Sequence, residues 1–144
     1  MIVMSACLSF GEIIEGGKPQ LIQLEAVGSA LSPNDPSSCV AFSKQVRLLE
    51  GILTHSYSLA VSIVRRTEDP GEIADTWKQM ESLCSNSLQT LKKWKDKYPY
   101  CGTAELFDLA LDYKLACAKR YAAAMEEMEC QRLDLPKGLF PETI

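Results

Sequence analysis

An all-α fold is predicted by three features of the sequence: two long apolar ladders with alternating four-three spacing, a third segment with two apolar stripes, and short polar breaks between them. The expected architecture is an up-down helical bundle of three long helices plus an N-terminal covering segment. For that segment a helix is favoured and a hairpin is the alternative. The 144 residues are read as a single domain, with the covering segment over 1–34, the three-helix core over 35–132 and an extended tail over 133–144. That length is enough for one sizeable core. An apolar fraction of 47% and a charged fraction of 24% are ordinary for a soluble globular protein.

Residues 1–31 carry mixed signals. Ile2, Met4, Ala6, Leu8 and Phe10 alternate as in a strand, but Val3 and Cys7 spoil the polar side and suit a buried helix. Gly16-Gly17-Lys18-Pro19 reads as a break. Glu12–Glu15 and Gln20–Glu25 flank it as hairpin arms; alternatively, Pro19 opens a helix through Leu21, Leu24, Val27 and Leu31. Either form is expected to cover the uncharged back of the helix that follows.

That next helix starts near Asp35-Pro36 or Ser38, which can cap it, and runs to about Arg66. Phe42, Val46, Leu49, Leu53, Ser56, Ala60 and Ile63 keep to one side of it. Leu48, Ile52, Leu59, Tyr57 and Val64 widen the stripe. Its middle, Gly51–Val64, has no charge, and the whole chain is expected to be organised around it. A one-sided surface helix carries charge on its back. Here the back is Gly51, Thr54, Ser58 and Ser62, small residues that let another backbone approach. This face is the candidate interaction surface, for a protein partner or for a second copy of the chain in a homodimer.

Asp69-Pro70-Gly71-Glu72 starts the second long helix, with Asp69 as N-cap, Pro70 in the first turn and Glu72 at the capping-box position. Its ladder is Ile73, Trp77, Met80, Cys84, Ser87, Leu91, Trp94 and Tyr98. Such spacing in neighbouring helices suits antiparallel packing of the coiled-coil kind. Lys92, Lys93, Lys95 and Lys97 lie at its C-terminal end, where cations oppose the helix dipole.

The third helix follows the break at Tyr98–Thr103, with Thr103 as N-cap, and covers about 104–132. One stripe is Phe107, Leu111, Leu115, Ala118, Ala122 and Met125; the other is Leu106, Ala110, Tyr113, Cys117, Tyr121, Ala124 and Met128. Together they span about 200° at about 100° per residue, so this helix is expected to touch more than one neighbour. In an up-down-up order it ends where the first long helix ends, placing Glu126, Glu127 and Glu129 near Arg65 and Arg66. Leu139 and Phe140 of the tail are expected to dock on the bundle.

Composition excludes several function classes. A net charge of −4 argues against a nucleic-acid partner, which needs a basic face. Fourteen uncharged residues in Gly51–Val64 are too few for a membrane span, which needs about 20. The N-terminus lacks the charged region and unbroken apolar core of a signal peptide, so cytoplasmic residence is expected. The six cysteines are scattered without a CxxC pair, and in a reducing compartment they are read as small hydrophobes.

Chemistry-bearing patterns are missing. His55 is the one histidine, and no residue three before it is a glutamate, so the di-iron bundle signature fails. His55 also lacks the cationic neighbour one turn away expected of a phosphoacceptor. No GxSxG and no phosphate loop occurs. No catalytic residue, metal ligand or cofactor is assigned. The polar intrusions are Lys114, within the apolar arc of its helix, His55 at a stripe edge, and Tyr98 and Tyr100 beside Trp94. These four are the candidate ligand-binding residues. The leading expectation is a non-enzymatic interaction or adaptor bundle that self-associates. The runner-up is a small-ligand-binding or enzymatic bundle with a pocket near Lys114 and His55.

Overall fold

The computed structural model describes residues 10–31, 36–98 and 101–132. They form α1 (Phe10–Ala30), α2 (Pro36–Arg65), α3 (Pro70–Lys95) and α4 (Thr103–Arg132), with no strand among the described residues. The fold is the all-α bundle the ladders predict, a shorter helix followed by three long ones. The Ile2–Leu8 alternation, the Asp35 cap, Tyr100 and the Leu139–Phe140 tail lie outside the described residues.

The glycine break of the N-terminal segment is absent. α1 runs straight through Gly16, Gly17 and Pro19, and it holds both arms of the hairpin alternative. The glycines serve packing. A Cβ at Gly17 would stand 2.4 Å from Leu83 Cδ1, and one at Gly28 would stand 2.9 Å from the Trp94 ring. Close approach of α1 to α3 explains glycine at both sites.

α1 packs on both α2 and α3. Leu24 is fully buried between them, and the Gln20 amide donates to Gln45 Oε1 at 2.9 Å. α1 therefore lies along the Gln45 flank of α2 and does not cover its back. Gly51, Thr54 and Ser58 are exposed, Ser62 is half-buried, and a Cβ at Gly51 would meet nothing within 4 Å. The expected cover over that face is thus corrected: the glycines of α1 let it settle against α3 and the Gln45 flank of α2 instead.

α3 and α4 share the most extensive contact of the bundle. The α2 ladder residues Phe42, Leu49, Leu53 and Ala60 and the α3 residues Met80, Leu83, Cys84 and Leu91 are buried in one core with Leu106, Ala110 and Cys117 of α4. Each large aliphatic side chain so buried contributes about 1.5–3 kcal/mol. Ser87, fully buried in the α3 ladder, donates to the Leu83 carbonyl at 2.8 Å, which removes the cost of a buried hydroxyl.

Helix ends follow local chemistry. Asp69 caps α3 and accepts from the Gly71 N–H at 2.9 Å. The reciprocal half of the capping box is relayed: Thr67 Oγ1 accepts from the Asp69 N–H at 3.1 Å and donates to Glu72 at 2.6 Å. Thr103 is not the N-cap of α4. The Gly102 carbonyl accepts the first bond, from Leu106 N–H, and Gly102 has φ of 81°. The Thr103 hydroxyl turns back to donate to the Tyr98 carbonyl at 3.0 Å.

The two α4 stripes are covered unequally. Leu106, Ala110, Cys117 and Ala124 are buried, whereas Leu111, Leu115 and Met125 of the other stripe are exposed. α4 meets both α3 and α2, as the width of its apolar arc predicts, but the arc they cover leaves Leu111, Leu115 and Met125 outside.

Candidate functional site

A cluster of polar and aromatic groups lies between the C-terminal half of α2, the start of α3 and the middle of α4. Tyr57 stacks on Tyr113, ring centroids 4.5 Å apart, and tilts against the buried Trp77 at 5.7 Å. Arg120 lies over the Trp77 ring at 4.9 Å and the Tyr57 ring at 5.5 Å, and it donates to the Tyr57 hydroxyl. A guanidinium over an indole face is attracted by the ring quadrupole. Burial pushes the Tyr57 phenol above its ordinary value, and the Arg120 charge opposes that shift.

This cluster forms one end of an open groove of about 610 Å³. Val61, Val64, Ile73, Trp77 and Ala123 give it apolar walls, and Arg65, Glu68, Arg120 and Glu127 give it charge of both signs. The small side chains of Ala123 and Ala124 leave the space open. Arg65 and Glu127 sharing this groove agrees with the expected common end of α2 and α4. Glu129 departs from that expectation and pairs with Arg132 of its own helix.

The residues singled out in the sequence do not converge here. Neither Lys114 nor His55 lines the groove. His55 is exposed on α2, and Lys114 is half-buried on α4, with its charge acting on Cys84. Tyr98 is buried at the other end of the bundle. It stacks on Phe42 at 4.2 Å, and its hydroxyl donates to the Gly28 and Leu31 carbonyls at 3.1 and 3.0 Å. Tyr100 lies outside the described residues. The lysines near Tyr98 have partners in the bundle: Lys93 pairs with Glu25 at 3.0 Å, Lys95 lies over Phe107 at 4.4 Å, and Lys97 lies over Trp94 at 4.9 Å.

Four of the cysteines come together as two pairs that their spacing in the sequence does not mark. Cys39 and Cys101 form a disulfide, with Cα atoms 5.5 Å apart, which corrects the reading of all six cysteines as small hydrophobes. Cys84 and Cys117 face each other across α3 and α4, both fully buried. Their mutual hydrogen bond holds the Cys84 thiol well above its ordinary value and Cys117 below it.

Among the described residues, no group of three or more His, Cys, Asp or Glu side chains is placed to hold a metal ion. No described helix is long and apolar enough to cross a membrane. The arrangement offers apolar walls, an aromatic face and charges of both signs, which are means of binding. The chain matches no protein-family model, no curated protein and no solved structure.

Proposed function

We propose that the chain is a non-enzymatic interaction bundle that self-associates as a homodimer or docks on a protein partner. The observation that supports this reading is the apolar surface left outside the core. Leu111 is 37%, Leu115 59% and Met125 42% exposed on one helix. Contiguous apolar surface of this kind commonly marks association sites. The bare α2 face of Gly51, Thr54, Ser58 and Ser62 is a second proposed contact surface, one that permits close backbone approach. Size-exclusion chromatography with light scattering over a range of concentrations tests the reading. A mass that rises toward two chains supports it. A constant single-chain mass, with no protein co-purifying from the native source, contradicts it.

A second reading, small-ligand binding, is favoured by the groove beside Trp77 and Arg120. Fluorescence separates the possibilities. A ligand in the groove changes Trp77 emission in the Lys114→Met variant as in the parent, whereas a site at Lys114 loses the ligand altogether.

Cytoplasmic residence remains a proposal from the N-terminal sequence, and the Cys39–Cys101 disulfide supports the opposite, because such bonds persist in oxidising compartments. Alkylation of thiols before lysis decides between them. Cys39 and Cys101 are modified in a cytoplasmic protein and protected in one held under oxidising conditions.

A further inference from the structure

We propose that the groove at Trp77 and Arg120 is filled by the chain's own C-terminal segment, residues 133–144, with Leu139 and Phe140 set between its apolar walls. That segment lies outside the described residues. The proposal stands on where α4 ends, how far the segment reaches and what it carries.

α4 ends at Arg132, at the same end of the bundle as the groove. Glu127, in the groove wall, precedes that end by little more than one turn. Met128 Cε lies 4.0 Å from where a Cβ on Gly71 would stand, so the last turns of α4 run beside the start of α3. The chain therefore leaves α4 next to the mouth of the groove, where Arg65, Glu68 and Pro70 stand.

The sequence turns the chain off the helix axis and gives it the length to return. Pro136 has no N–H to donate and disfavours helical backbone at Leu135. Ala123, midway along the groove wall, lies about 14 Å back from Arg132 at about 1.5 Å per residue. Leu139 can lie up to about 23 Å from Arg132 at about 3.3 Å per residue of extended chain. The difference is enough for the reversal. Pro136 and Pro141 restrict the undocked segment, which lowers the entropic cost of holding it in place.

Successive side chains of an extended segment point to opposite sides. Leu139 and Phe140 thus meet both walls, Val61 and Val64 of α2 and the small Ala123 and Ala124 of α4. A volume of about 610 Å³ is that of a site enclosing a drug-sized molecule, and it admits two large side chains. Charge fits the same direction of entry. Lys137 falls at the mouth, where the groove-lining residues offer it two carboxylates, Glu68 and Glu127, against one cation, Arg65. Glu142 falls deeper, toward Arg120, about 10 Å further along α4 from Glu127.

A short tether holds the segment at an effective concentration in the millimolar range. A contact too small to retain a free partner therefore forms within the chain. The docked segment is a built-in competitor, and a small molecule enters the groove only by displacing it. The docking stands apart from both readings of function; this competition alone rests on the small-ligand reading.

Photocrosslinking of the full chain tests the proposal, with p-benzoylphenylalanine in place of Phe140. Irradiation of a dilute sample is expected to give a product of single-chain mass, crosslinked to Val61, Val64, Ile73 or Ala123. A crosslink elsewhere on the bundle, or none, overturns the docking. A product with the mass of two chains overturns it in favour of a neighbouring copy's segment. The L139D/F140D variant gives a second readout. Amide exchange is expected to quicken about tenfold at 61–65 and 123–127 and to stay unchanged in α1. Equal exchange in variant and parent, or a change spread over all four helices, overturns the assignment to the groove.

Discussion

The Cys39–Cys101 bond joins the first turns of α2 to the turn before α4, two points 62 residues apart in sequence. It sits beside the Phe42–Tyr98 stack, so the covalent link and the aromatic cluster close the same end of the bundle. Tyr98 adds α1 to that closure through its bonds to Gly28 and Leu31.

Removing the disulfide is therefore expected to loosen the whole fold. A closed loop of this length restricts the unfolded chain by about 4 kcal/mol in the chain-entropy account. The C39S/C101S double variant should show that loss in denaturant unfolding. Its secondary structure should be unchanged at zero denaturant. An unaltered midpoint would mean that the bond contributes nothing to stability.

Tyr98→Phe is expected to cost about 1–3 kcal/mol. The ring stack survives, but the Leu31 carbonyl loses the phenol donor and the Gly28 carbonyl keeps only the Lys97 ammonium at 3.4 Å. Hydrogen exchange should quicken most at the C-terminal turns of α1. A uniform change across all four helices would contradict a local role.

The glycines of the bundle are expected to respond in opposite directions. Gly51→Ala meets nothing within 4 Å and should stabilise α2 by about 0.5–1 kcal/mol. Gly28→Ala pushes a methyl group between Trp94 and Phe42 and should destabilise by about 1–3 kcal/mol. Thermal unfolding of the two variants checks both signs.

Alkaline titration reports on the two shifted tyrosines. Burial raises both Tyr57 and Tyr98 above the ordinary value of 10.0, with Arg120 holding Tyr57 back. Folding thus favours the neutral phenols. Their contribution is fully present below the ordinary tyrosine pKa and is lost as pH rises through the folded-state values. Absorbance titration should show late-ionising phenols. Arg120→Met should delay Tyr57 further, and an earlier ionisation in that variant would contradict the Arg120 contact.

How much of this was legible depended on range along the chain. The α2 and α3 ladders and the Asp69 cap are local patterns of three to seven residues, and they read correctly. Gly17 misled because a glycine that admits Leu83 looks, in one dimension, like a chain break. The disulfide was within reach: in an up-down bundle, a cysteine at the start of α2 and another just after α3 lie at the same end. The Trp77–Arg120 cluster was harder to see. Trp77 and Tyr113 were read as ordinary ladder members. The seven-residue spacing of Tyr113 and Arg120, which puts both on one face of α4, was the available signal. Coverage of the second α4 stripe could not be read from periodicity, because an apolar stripe looks the same whether a neighbour of its own chain or another molecule covers it.

The most direct test of the central claim is native mass spectrometry of the protein purified from its own source at high concentration. The account predicts a species with the mass of two chains and no bound small mass. A single chain carrying a small-molecule or metal mass would contradict it, and would direct attention from the exposed α4 stripe to the groove at Trp77 and Arg120.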